Sequence, residues 1–205
     1  MTELTERRRR LLRDEIRQVA VILFADKGFD SVTVGEIAAA AGLSVRTFFR
    51  YFATKDEVLL EYEHHLWHRL SEALSARPRH EGPVTALREA LIATSHVNPS
   101  DRHRVVQLGR ILAQAPDLQA RSRGQRLAID DEIVDMVTKR FSGQSAKNRT
   151  TARVIVSAMN AVAASEFSAW VSGGGRGDLA MRTGQALMVL EAGLGQIESC
   201  RECKA

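Results

Sequence analysis

Three polar residues close together in the chain, Arg46, Thr47 and Arg50, have the types and spacing best suited to reading a nucleic acid. Arginine can donate two hydrogen bonds to guanine O6 and N7, and threonine can contact a base edge or the methyl group of thymine. Phe48 and Phe52 are core-type residues that would fix such a segment to a hydrophobic core. This pattern predicts a short helix that lies in the major groove of DNA. The alternative is that these polar side chains only form a solvated surface.

The elements on either side of these residues predict a helix–turn–helix. Thr33 followed by Glu36 is a capping box that starts one helix. Gly42 can adopt the left-handed backbone that ends this helix. Ser44 can cap the next helix, which we predict over 45–51.

A third helix of this segment is predicted to begin at Lys55 and to reach about Ala76. Thr54 and Glu57 form a second capping box at its start. The first turn of a helix favours an anion, so residues near these helix starts are suited to DNA phosphates. The predicted DNA-binding residues are Thr33, Ser44, Val45, Arg46, Thr47, Arg50, Tyr51 and Lys55.

The segment from Ile16 to Leu60 resembles the DNA-binding domain of the TetR family of transcriptional regulators. The matching pieces are ILFADKGF at 22–29, TVGEIAAAAGLS at 33–44 and RTFFRYFATKDEVL at 46–59. The resemblance supports Tyr51 and Lys55 as phosphate contacts. Many members of the family have a tyrosine at the position of Phe49, and a phenylalanine cannot donate the hydrogen bond to phosphate that this tyrosine makes.

We predict an all-α fold of about nine helices, since the chain is 44% hydrophobic and has only four prolines. The resemblance implies a helix–turn–helix DNA-binding domain of three helices at 1–53. It also implies a helical-bundle domain at 54–205 that binds an effector and dimerises. Residues 2–13 are predicted to form a basic arm before the first helix, with Arg7 to Arg10 either following DNA or staying solvated.

The net charge of +4 and pI of about 9.4 are compatible with nucleic acid as a partner. The arginine-rich start is not followed by the apolar core of a secretory signal. No run approaches the roughly 20 apolar residues of a membrane span. The chain is therefore expected in the cytoplasm, with no membrane partner.

One group of side chains has the residue types of a metal site. Its members lie on the long helix predicted to begin at Lys55 and are Glu61, Glu63, His64, His65 and His68. A di-iron site needs a second such helix, which the sequence lacks, so we interpret these residues as surface or pocket residues without metal. The chain also has no Ser/His/Asp or glycine-rich phosphate motif, and we predict no catalytic residue and no cofactor. Cys200 and Cys203 are expected in an unstructured tail, although a CxxC pair can bind zinc or form a disulfide.

The resemblance implies an effector pocket between the long helix from Lys55 and the helices that follow. The apolar candidates for its wall are Trp67, Leu70, Leu91, Leu108, Ile111, Leu112, Met136, Met159 and Phe167. Each is also an ordinary core position. Arginines of the 102–126 segment could meet an anionic head group. The FFRYF form of the reading helix is similar to a TetR subset with acyl-CoA ligands.

The last two predicted helices, 149–171 and one capped by Asp178, are expected to form a dimer surface. The first has small residues at 158, 161, 164, 165 and 168. The second has Leu187, Leu190, Leu194 and Ile197 at helical spacing, a stripe that could equally be core. A short reading helix needs a second copy to hold DNA firmly.

These predictions favour a repressor that binds a pseudo-palindromic operator as a homodimer and is released by a hydrophobic small molecule. Two other functions stay open: a metal-dependent helical-bundle enzyme, and a constitutive DNA-binding protein without an effector.

Overall fold

A computed structural model describes residues 3–114, 130–142 and 146–202, without the side chains of residues 3, 4, 63, 65, 66 and 194–202. The regular elements of these described ranges are all helical, which confirms the predicted all-α fold. The helices are α1 (Glu3–Lys27), α2 (Val34–Ala40), α3 (Val45–Phe49), α4 (Lys55–Ser75), α5 (Pro83–Thr94), α6 (Arg102–Gln114), α7 (130–138), α8 (Ala146–Ser172) and α9 (Leu179–Glu202). A short 3₁₀ turn, Pro99–Asp101, precedes α6.

The basic segment predicted as an arm is part of α1, so that prediction is wrong from residue 3 onward. Arginine is a good helix former, and α1 contains neither glycine nor proline to interrupt it. Arg7 to Arg10 are exposed on the first turns of this 25-residue helix. Gly28, at φ 83°, follows the end of the helix.

The first of two compact units contains α1, α2, α3, the part of α4 up to Leu66, and α6. Its core forms around fully buried residues of the first four helices, such as Phe24, Ile37, Phe48 and Leu59. Leu108 of α6 closes this cluster. Helices α1, α2 and α3 therefore share one hydrophobic core with α4 and α6 and cannot be displaced independently at low cost.

The second compact unit contains the rest of α4 from Trp67, together with α5, α7, α8 and α9. Helix α5 packs on both α8 and α9, which also pack on each other. The core of this unit includes Leu74, Leu87, Val137 and Met159. The predicted domain boundary at 53/54 stays a prediction, and α4 contributes residues to both compact units.

The apolar stripe of α9 is only partly available as a surface. Leu187 is fully buried in the core of the second unit, so its assignment to a dimer surface is wrong. Leu190 is half-buried against that core, and its place in a dimer surface stays a prediction. A stripe at helical spacing does not reveal which neighbour it faces. The side chains of Leu194 and Ile197 lie outside the described residues.

Helix α8 is long and apolar enough to span a bilayer by length and composition alone. The core helix of a protein in water passes the same test, so this is weak evidence for a membrane. Asn160 is buried within α8 and Glu166 forms an ion pair with Arg182 of α9. These polar contacts, together with the buried residues Val156 and Met159, are typical of a helix packed in a bundle.

Candidate nucleic-acid interface

The helix–turn–helix forms because each of its short helices begins at a side-chain cap. Thr33 Oγ1 accepts a hydrogen bond from Glu36 N at 3.2 Å, and the Glu36 carboxylate accepts one from Thr33 N at 2.9 Å. Ser44 Oγ accepts from Thr47 N at 3.1 Å and starts α3. Gly42 lies between the two helices at φ 67°, a backbone conformation that glycine adopts without strain. The predicted capping box, turn and second cap are confirmed.

The carboxylate of Glu36 also accepts a hydrogen bond from Lys27 Nζ at 2.7 Å. This contact joins the end of α1 to the start of α2. The hydrogen bonds from Lys27 and Thr33 lower the pKa of Glu36 from its ordinary value to about 2. Glu36 therefore stays ionised, and its cap stays formed, well below neutral pH.

Helix α3 presents an exposed face to solvent while Phe48 anchors it. Phe48 is fully buried, whereas Val45 and Phe49 are 44% and 54% exposed. Arg46 is exposed too, and it has no hydrogen-bond or ion-pair partner among the side chains that the structure describes. A fixed helix with an unpaired guanidinium on its outer face is suited to contact base edges in the major groove.

Arg50 and Tyr51 are brought together at the end of α3. The guanidinium of Arg50 lies over the Tyr51 ring, 5.3 Å from its centroid, and donates to the Tyr51 hydroxyl at 3.2 Å. The sequence predicted a base contact for Arg50 and a phosphate contact for Tyr51. The structure adds that the two side chains form one polar group, so a change in either alters the position of the other.

Lys55 has a role that the sequence did not predict. Its Nζ donates to the carbonyl oxygens of Phe29 at 2.7 Å, Val32 at 3.0 Å and Asp30 at 3.2 Å. It also lies 4.6 Å from the centroid of the Phe29 ring. An ammonium group has three protons to donate, and all three are used. The predicted phosphate contact would require Nζ to leave these carbonyls, and it stays a prediction.

Arg13 of α1 is a second link that sequence reasoning missed. Its guanidinium donates to the Tyr51 carbonyl at 2.8 Å and to the Glu61 carboxylate of α4, and it lies 4.4 Å from the centroid of the Phe52 ring. Hydrogen bonding to Glu61 raises the pKa of Arg13 further above its ordinary value. Arg13 thereby ties the residue just beyond α3 to both α1 and α4. Glu61 is 48 residues away in sequence, so no local spacing could have indicated this pair.

The predicted wall of the effector pocket does not form a single cluster. Leu108, Ile111 and Leu112 belong to the core of the first unit. A larger group belongs to the core of the second unit and consists of Trp67, Leu70, Leu91, Met136 and Met159. Phe167 stacks on Trp170, with ring centroids 6.4 Å apart. In the structure each of these residues packs in one of the two cores or against an aromatic ring. Their contact with a ligand stays a prediction.

An open groove of about 580 Å³ lies between α4 and α7. Its lining is mostly polar and consists of Ser71, Glu72, Ser75, Ala76, Glu132 and Met136. Met136 is the one predicted wall residue that lines it. Ser71 donates to Glu132 at 2.7 Å across the groove.

The suspected metal ligands are not assembled in the part of the chain that the structure describes. No three His, Cys, Asp or Glu side chains among the described residues could hold an ion together. Glu61 is instead bound to Arg13. The side chains of Glu63, His65 and Cys200, and all of Cys203, lie outside the described residues.

Comparison with known proteins is consistent with this geometry. Residues 16–62 match the family model described as bacterial regulatory proteins of the tetR family, and residues 81–195 match the model of the MftR C-terminal domain. A protein of Mycobacterium tuberculosis named as a mycofactocin biosynthesis transcriptional regulator, MftR, is 34% identical over 68% of this chain and 70% of its own length.

Two solved structures share the fold. FadR of Thermus thermophilus, a transcriptional repressor in complex with lauroyl-CoA, has a TM-score of 0.57 and 23% identity over 87% of this chain and 92% of its own. FadR of Bacillus subtilis, in complex with stearoyl-CoA, has a TM-score of 0.58 and 18% identity over 86% of this chain and 96% of its own.

Proposed function

Because the chain belongs to the TetR family of bacterial regulatory proteins, we propose that it is a ligand-responsive transcriptional repressor. In this proposal it binds a pseudo-palindromic operator as a homodimer and is released by a hydrophobic small molecule. It acts on DNA in the cytoplasm and catalyses no reaction.

The observation that carries the proposal is the outer face of α3. This helix is capped by Ser44, anchored by the buried Phe48, and leaves Arg46 exposed and unpaired among the described side chains. A rigid helix with a free guanidinium can place two donors on guanine O6 and N7. Thr47, Arg50 and Tyr51 extend the same surface toward neighbouring bases and phosphates.

The homodimer follows from the small size of this reading element. Helix α3 has five residues and reaches one half-site, so firm and specific binding needs a second copy about one helical turn of DNA away. Helices α8 and α9 offer a surface for self-association, because both have exposed apolar residues at helical spacing. These are Val154 and Ala161 on α8, and Met181, Met188 and Val189 on α9.

We propose a long-chain acyl-CoA as the first effector class to test. The FadR proteins that share this fold are complexed with lauroyl-CoA and stearoyl-CoA, which supports the choice by analogy of fold alone. An apolar chain could be held by flexible residues of the second unit such as Met136 and Met159. Arg102 and Arg110, from the segment predicted to meet the head group, are exposed on α6. Arg121, Arg123 and Arg126 lie outside the described residues.

Release would act through α4. This helix contributes residues to both compact units. It carries Glu61, which accepts a hydrogen bond from Arg13, and Arg13 in turn donates to the Tyr51 carbonyl just beyond α3. A ligand that favours another position of α4 would change the position of α3. Shifting the protein from mostly bound to mostly released requires a preference of about 5 kcal/mol for the released state.

The test is a titration of the purified chain bound to a labelled fragment of its own promoter. We expect a Kd in the nanomolar range and release by lauroyl- or stearoyl-CoA, while free coenzyme A has no effect. Binding without release by acyl-CoAs, fatty acids or aromatic drugs would favour a constitutive DNA-binding protein. Stoichiometric metal in the purified chain, with no DNA binding, would favour the metal-dependent enzyme.

A further inference from the structure

Val45 and Phe49 form an exposed apolar pair on α3. They are four residues apart and therefore lie on the same side of the helix, with 44% and 54% of their surface exposed. We propose that this pair contacts the C5-methyl groups of thymines in the operator, so that the reading helix recognises thymine by apolar contact as well as guanine by hydrogen bonding.

The surrounding contacts fix the apolar pair in place. The Phe49 ring packs edge-to-face on the buried ring of Phe48, with centroids 5.7 Å apart and planes at 87°. This geometry packs the Phe49 ring against a fully buried residue. Next to it, the Thr47 hydroxyl lies 2.8 Å from Ser44 Oγ, so its hydrogen bonding is directed into the cap. The apolar face is therefore ordered before binding and loses little mobility when it contacts DNA.

The charge beside this pair indicates DNA as the occupant. Arg46 and Arg50 each follow a member of the pair by one residue, so a basic strip lies about 100° around the helix from the apolar strip. An apolar contact flanked by exposed arginines suits a groove with methyl groups on its floor and phosphates along its edges. The thymine methyl is the apolar group that the major groove presents to a protein.

The spacing of Val45 and Phe49 along the helix determines which base pairs they can contact. Residues four apart rise roughly 6 Å along a helix, so Val45 and Phe49 can contact methyl groups of two different base pairs. The Phe49 side chain has no hydrogen-bonding group and can only make apolar or aromatic contacts. The inference rests on the proposed function, because it specifies how the same helix recognises its operator.

The experiment starts with selection of operator sequences from randomised DNA by the purified chain. We expect thymine at fixed positions of each half-site. These thymines are then replaced by deoxyuridine, which removes the methyl group and keeps every hydrogen-bonding group. Each contacted methyl that is removed should weaken binding about fourfold. Replacing one in both half-sites should weaken it about fifteenfold.

Substitutions of Val45 and Phe49 test which side chain contacts each thymine methyl group. Phe49→Ala should bind thymine and deoxyuridine operators equally at the position it reads, and Phe49→Leu should retain much of the discrimination. Val45→Ala should lose discrimination at the other position. Ile22→Ala is the matched control, since Ile22 is an apolar residue of α1 with the same 44% exposure, and it should discriminate as the original chain does.

The possible outcomes separate this inference from the proposed function. If no sequence is enriched, both are overturned. If an operator is enriched but deoxyuridine binds as well as thymine, or Phe49→Ala still discriminates, only the methyl contact is overturned. If deoxyuridine has no effect and Phe49→Ala abolishes self-association in light scattering, the pair faces a second copy of the chain instead of DNA.

Discussion

Replacing Lys55 by methionine separates two roles for the residue at the start of α4. Methionine keeps most of the length of the side chain and removes the ammonium group. The carbonyls of Phe29, Asp30 and Val32 then lose a shared donor. A hydrogen bond to a charged group contributes ~1.5–3 kcal/mol when buried. Because water can replace the donor at these partly exposed carbonyls, we expect a total loss of about 2 kcal/mol.

The loss of stability has a measurable size. For a chain of this length 1 kcal/mol lowers Tm by about 2–4 °C, so Lys55→Met should lower it by about 4–8 °C. Operator affinity should also fall, because the link between α4 and the segment before α2 is lost. Binding to unrelated DNA should change much less, since no phosphate contact is removed.

The salt dependence of binding decides between the roles. Each phosphate neutralised by a protein contributes about −0.9 to the slope of log K against log salt. If Lys55 contacts phosphate in both protomers of a dimer, Lys55→Met should flatten the slope by about 1.8. The internal bonds predict no change in the slope. Lys139→Met, an exposed lysine of the second unit, controls for the loss of a charge. A flattened slope with an unchanged Tm would refute the structural role and establish the phosphate contact.

Three further predictions follow from described contacts. Arg46→Ala should weaken operator binding by about 1–3 kcal/mol in a mobility-shift assay and relax specificity at one base pair; unchanged affinity would remove Arg46 from the interface. Glu36→Gln should lower Tm at neutral pH. The difference in Tm between this variant and the original chain should vanish as pH falls from 4.5 towards 2, because the folded-state pKa of Glu36 is lowered to about 2 and its stabilisation is lost on protonation. A difference in Tm that persists at pH 2 would contradict the cap. Ala161→Glu combined with Val189→Glu should give monomers in light scattering. Leu11→Glu, at an exposed apolar residue of α1, should not, and a dimeric double variant would locate the interface elsewhere.

Local features of the fold were predictable from sequence. The caps at Thr33 and Ser44 depend on hydrogen bonds between residues three apart, and Gly42 has a backbone conformation that favours glycine. Asp178 likewise caps α9 by accepting from Ala180 N at 2.8 Å. Such signals need no knowledge of the tertiary structure, because donor and acceptor lie within one turn.

Contacts between distant segments were not predictable. Lys55 and the Phe29 carbonyl are 26 residues apart, and the sequence shows only a lysine at a helix start, which is as well suited to phosphate as to a carbonyl. Leu187 lies on a stripe that fits both a core and an interface, and the neighbouring α5 decides for the core. The arginine run at 7–10 was interpreted from its charge, whereas helix propensity determined its conformation.

The single core anchor of α3 has a consequence for how binding preference can diverge. Phe48 fixes the helix, while Val45, Arg46 and Phe49 have much of their surface exposed. Substitutions at such surface positions usually change stability by less than about 0.5 kcal/mol. After duplication of the gene, a copy could therefore acquire a new target sequence one substitution at a time and remain folded throughout. The same separation makes these three positions suitable for a library aimed at retargeting the protein to chosen DNA.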